Sequence, residues 1–91
     1  MRPAVTERVE AEDKLEAAGW ILVSLPREAR IEEQFISMLA WCGEYIGNGR
    51  VEIEAGRINP EERWYSYSWY GYWNFWFQHE KDATLFALRW K

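Results

Sequence analysis

The sequence predicts an α+β domain: an antiparallel sheet with two helices on one face, in the split β-α-β (ferredoxin-like) order, preceded by an N-terminal helix. Three observations predict it. A 3.6-residue apolar stripe runs through residues 31–46, clean two-residue alternation marks 50–55, and a dense run of β-forming aromatics fills 63–78. Ninety-one residues with 48% apolar side chains and sixteen aromatics, seven of them Trp, suffice for one core. Domain organisation therefore reads as a helix or arm over 1–19 and a single α+β unit over 20–91.

Residues Thr6–Ala18 are good helix formers and stop at Gly19, which suits a helix C-terminus. The apolar residues here, Val5, Val9, Leu15 and several Ala, make only a narrow stripe, so this helix docks loosely or frays. Trp20–Leu25 is a short apolar run ended by Pro26, which favours a strand buried on both faces. The helix that follows starts near Pro26 with Glu28, Glu32 and Glu33 in its first turns, and Gly47-Asn48-Gly49 ends it. At 100° per residue, Ile31, Phe35, Met38, Leu39, Cys42, Tyr45 and Ile46 share one side, which must lie on a sheet. Val51, Ile53 and Ala55 alternate with Glu52 and Glu54 as in a half-buried strand, and Asn59-Pro60 marks the next turn. Glu80-Lys81-Asp82 opens a last short helix with Ala83, Phe86 and Ala87 inside. Leu88-Arg89-Trp90 is either its final turn or a closing strand.

Between Trp64 and Phe77 stand ten of the sixteen aromatics. Asn74 and Gln78 set the parity of 72–78: Tyr72, Asn74 and Trp76 outward, Trp73, Phe75 and Phe77 toward the helices. Gly71 allows two arrangements of what precedes it. A two-residue hairpin turn at Tyr70-Gly71 pairs Trp69 with Tyr72 and puts Tyr65, Tyr67 and Trp69 outside. A long strand bent at Gly71 puts Trp64, Ser66, Ser68 and Tyr70 outside instead, and is preferred because it keeps both Ser wet. Either way at least four large rings lie away from the two-helix core. That is more apolar surface than a monomer usually exposes, unless the N-terminal helix folds back over it.

Catalytic signatures are missing from the sequence. His79 and Glu80 form no triad with Cys42, which falls on an inner helical stripe as a small hydrophobe. Glu52 and Glu54, roughly 7 Å apart by strand rise, have the spacing of a carboxylate pair but read as a solvated face. No phosphate-binding glycine loop occurs, and one Cys with one His excludes an internal disulfide and a zinc finger, so no cofactor and no metal is expected. No apolar run approaches a membrane span and the N-terminus lacks a signal-like stretch, which predicts a cytoplasmic protein.

A net charge of −4 is unevenly placed: residues 1–62 carry 7 basic and 13 acidic side chains, and 63–91 carry 4 and 2. Stacking of single-stranded nucleic acid on open aromatics is the rival to protein binding, with Arg50, Arg57, Arg63 and Arg89 for phosphates. The acidic balance, the Glu52/Glu54 pair and the missing RNP1 pattern weigh against it. The favoured contact surface is Trp64, Tyr70, Tyr72 and Trp76 with Glu52 and Glu54. Its expected partner is a protein, a basic nucleic-acid-binding one suiting the acids, or a second copy.

The block Trp73-x-Phe75-x-Phe77 through Asp82-Ala83-x-x-Phe86-x-Leu88-Arg89-Trp90 resembles the ending of many short bacteriophage and prophage proteins. That resemblance implies a phage-encoded inhibitor of a host system, of the anti-CRISPR kind, acting in the host cytoplasm by steric occlusion. It carries no residue-level role.

Overall fold

A computed structural model of the chain describes residues 3–27, 32–51, 59, 61–69 and 71–91, with side chains from Val9 onward except those of Glu32 and Trp69. The elements are α1 (Pro3–Ala17), β1 (Ile21–Pro26), α2 (Glu32–Tyr45), β2 (Gly49–Val51), β3 (Trp64–Trp69), β4 (Tyr72–Phe77) and α3 (Glu80–Trp90). The fold is α+β, built on one mixed four-stranded sheet of order β1-β4-β3-β2.

This order is not ferredoxin-like. β1 lies at the edge and pairs antiparallel with β4, β4 pairs antiparallel with β3, and β2 lies parallel to β3. The two alternatives at Gly71 explain the difference. Gly71 has φ +82°, the left-handed conformation a tight turn needs, and β3 returns on itself as β4 with Trp69 opposite Tyr72. The hairpin supplies a ladder of six residue pairs. At roughly 0.5–1.5 kcal/mol net per hydrogen bond, that outweighs the roughly 1–3 kcal/mol of one poorly satisfied hydroxyl. Ser66 bears that cost: it is fully buried opposite Phe75, and its Oγ has no hydrogen-bond partner.

Side chains of one parity, Val23 and Leu25 of β1, Trp64 of β3 and Trp73, Phe75 and Phe77 of β4, join Met38 and Cys42 of α2, the following Ile46, and Ala83 and Phe86 of α3 in the main core. Phe86 is the hub, its ring 4.4 Å from Phe75, 5.1 Å from Phe77 and 5.9 Å from Trp41. Arg63, just before β3, pins the start of α3: its Nη2 and Nε donate to Asp82 Oδ2 at 2.8 and 3.3 Å. Asp82 is itself buried, and Gln78 N–H donates to Arg63 C=O.

Several sequence expectations shift at their ends. The α2 stripe holds at Met38 and Cys42, with Ile46 buried just past the helix end, whereas Tyr45 is exposed and Ile31 lies outside the described residues. β2 is only three residues long, and residues 52–58 lie outside the described set. Leu88-Arg89-Trp90 completes α3 and makes no closing strand. β1 is buried on one side alone, since Leu22 keeps 43% exposure while Val23 and Leu25 are inside.

Gly49 tolerates no side chain. A Cβ there would run into the Trp64 ring, whose Nε1–H donates to Gly47 C=O at 2.9 Å. The glycine-rich stretch read as a helix stop thus also seats a core indole.

Candidate functional site: an acidic recess beneath the N-terminal helix

The opposite parity of the sheet carries Leu22, Ser24, Tyr65, Tyr67, Tyr72, Asn74 and Trp76. α1 covers much of it. Ala11 and Leu15, four residues apart and so on one side of that helix, are fully buried against Trp20, Tyr65, Tyr67 and Trp76. Among the side chains described, from Val9 onward, Ala11 and Leu15 anchor the helix, on the narrow stripe expected from its sequence. The chain then turns at Gly19 (φ +89°). Trp20 N–H donates to Leu15 C=O at 2.9 Å, and Gly19 N–H to Glu16 C=O at 3.0 Å. This tight C-cap drops Trp20 onto the sheet, its ring centroid 5.3 Å from that of Tyr65.

Polar groups thread this second cluster. Trp76 Nε1–H donates to Tyr67 Oη at 2.9 Å, and Tyr67 O–H donates to the Glu12 carboxylate. Asn59 N–H donates to Tyr65 Oη at 2.6 Å, and Ser24 Oγ–H donates to Asn74 Oδ1 at 2.6 Å. Burial is the main force raising the Tyr65 phenol above its ordinary pKa, partly offset by the Asn59 amide, which favours the phenolate.

Between α1 and the β1–β4 half of the sheet lies a recess of about 340 Å³ lined by Glu12, Asp13, Glu16, Trp20, Leu22 and Trp76. Its floor is apolar and aromatic, and its α1 wall carries three carboxylates and no base. Asp13 and Glu16 face solvent, whereas Glu12 is half-buried and held by Tyr67. Among the described residues no group of three or more acids, thiols or imidazoles is placed to hold a metal ion. Carboxylates beside the exposed Leu22 and the largely buried indoles of Trp20 and Trp76 suit an organic cation, which gains from charge and from apolar contact along its stem.

The predicted contact residues separate. Trp64 lies in the main core, on the α2/α3 side, because the hairpin reverses the parity that would have turned it outward. Trp76 is on the predicted side but only 5% exposed, since α1 folds over it; it forms recess floor rather than open face. Tyr72, 47% exposed, is the ring that stands exposed among the described residues of the set. Tyr70, Glu52 and Glu54 lie outside the described residues. Sequence reasoning missed Glu12, Asp13, Glu16 and Trp20 as site residues. Their signal was present: 12, 13 and 16 fall within about 100° on the helix, beside the Ala11/Leu15 stripe.

Cys42 offers no chemistry here. Burial, reinforced by the nearby Asp82 carboxylate, pushes its thiol up to about 12, which keeps it protonated at any ordinary pH. Among the described residues no helix is long and apolar enough to cross a membrane. The architecture thus defines a small α+β protein with an acidic, indole-floored recess on one face of its sheet. Comparison of the chain with protein-family models, curated proteins and solved structures finds no match.

Proposed function

We propose that this chain is a non-catalytic protein-binding module that docks a basic segment of its partner through the recess between α1 and the sheet. The observation that supports it is the one-sided charge of that recess: Glu12, Asp13 and Glu16 above Trp20, Leu22 and Trp76. Opposite charge speeds encounter and fixes orientation, while the exposed Leu22 offers an apolar contact for the stem of Lys or Arg. A protein partner that itself binds nucleic acid carries such basic segments. Inhibition by steric occlusion, the role the bacteriophage resemblance implies, needs nothing beyond such docking.

Stacking of single-stranded nucleic acid is the less favoured reading, because the rings of Tyr65, Tyr67 and Trp76 lie under α1 and the recess beside Trp76 is lined by carboxylates. One titration separates the two. A short arginine-containing peptide should change the Trp fluorescence, with binding that weakens as salt rises and falls further in an Asp13→Asn/Glu16→Gln double variant. A glutamate-containing analogue and an oligothymidylate should not bind. Oligothymidylate binding at low salt, or indifference of the arginine peptide to the double variant, would overturn the docking reading.

A further inference from the structure

We infer that the open edge of β1 is a strand-addition site, where an extended segment of the partner pairs as a fifth strand and directs a Lys or Arg side chain into the acidic recess. This rests on the docking reading and adds to it the backbone mode of recognition. Two independent features converge on it.

The first is the edge itself. β1 is six residues long and is bonded through β4 on one side. Among the described residues no strand pairs with its other side. Alternate residues of such a strand aim N–H and C=O groups away from the sheet, a template for another extended chain. The usual protections are weak here: β1 carries no charged side chain, and its Pro stands at the last position, Pro26, leaving the stretch before it free to pair.

The second is the placement of the recess. Leu22 is both a β1 residue and part of the recess wall, and it is paired with Trp76 of the floor. Directly opposed residues of neighbouring strands project to the same face. A residue of the added strand opposite Leu22 therefore projects onto the α1 side, next to Leu22 and toward Glu12, Asp13 and Glu16. A long cationic side chain at that position reaches the carboxylates, and its methylenes lie along Leu22, which is 43% exposed. Neighbouring strands lie roughly 4.8 Å apart, within the reach of a Lys or Arg stem. Edge pairing supplies affinity that is indifferent to sequence; the recess supplies the preference for a base.

The test uses the intact chain and the peptide acetyl-Thr-Val-Thr-Arg-Thr-Val-Thr-amide, with Trp fluorescence as readout. Two backbone N-methylated analogues accompany it, each blocking one of the two alternating sets of amides. Only one set faces β1 in a paired strand, so one analogue should lose binding and the other should keep it. Replacing the peptide Arg by Gln should weaken binding about tenfold or more, the effect of one charge-assisted hydrogen bond. Equal binding by both methylated analogues overturns strand addition while leaving recess docking intact. Binding unaffected by Arg→Gln overturns the recess as the specificity element. No binding by any cationic peptide overturns both readings.

Discussion

Both faces of the sheet are rich in aromatic rings, but of different kinds and put to different use. On the α2/α3 side, Phe75, Phe77 and Phe86 are fully buried and touch one another, and two helices contribute apolar side chains. On the α1 side the rings are Tyr and Trp, tied by hydrogen bonds to one another and to Glu12, under a helix whose described anchors are Ala11 and Leu15. The first face is a core. The second is a thinly covered polar-aromatic layer, which suits a surface that exchanges contacts with another molecule.

The sharpest test of that contrast is to hollow out each face in turn. Phe75→Ala should cost about 3–5 kcal/mol in equilibrium denaturation, because the cavity is enclosed by the sheet and both helices. Loss of protection from hydrogen exchange should be global, reaching β1, β3, β4 and α3 together. A small or purely local effect would show that the main core is not the unit of cooperativity.

Leu15→Ala removes the larger of the described anchors of α1, a loss of about 2–5 kcal/mol for a buried Leu. The outcome should nevertheless be local. α1 is expected to lose amide protection and the Trp20 and Trp76 emission to shift red, while the sheet amides stay protected. A uniform loss across the molecule would make α1 part of the main folding unit and erase the distinction between the faces.

Tyr67→Phe is subtler, since it keeps the ring and deletes the hydroxyl that accepts from Trp76 and donates to Glu12. Leaving the buried indole N–H without an acceptor should cost about 1–3 kcal/mol. Retention of full stability would mean that water replaces the hydroxyl and that this layer is wetter than its burial suggests.

Legibility in the sequence follows the same division. The helical stripe at Met38 and Cys42 and the inward parity of Trp73, Phe75 and Phe77 are periodic patterns, which report directly on burial. The parity of 64–69 was not fixed by pattern, because Trp, Tyr and Ser alternate in a segment where no position is apolar by necessity. The pairing of backbones decided it, against the polarity of Ser66. Strand order is non-local, so the short β2 beside β3 and the edge position of β1 left no trace in spacing. The recess is legible only as half a site. The acids of 12, 13 and 16 look like a solvated face until Gly19 folds Trp20 beneath them.

The smallest expected effect at neutral pH comes from Cys42, and it separates the dry face from the polar one by pH instead of by cavity. Its thiol is raised from 9.0 to about 12 by burial first and by Asp82 second. The unfolded chain releases that proton near the ordinary thiol value, so the native state binds more protons between the two values. The stabilisation is complete below about 9 and is lost as pH rises toward about 12. Cys42→Ala should therefore reduce stability by a roughly pH-independent amount up to about 9 and flatten the alkaline decline above it. Thiol labelling of the native wild-type chain at pH 8 should proceed only as fast as global opening. Rapid labelling, or an alkaline slope unchanged in the variant, would place Cys42 in a wetter setting than the Phe-lined core and weaken the contrast between the two faces.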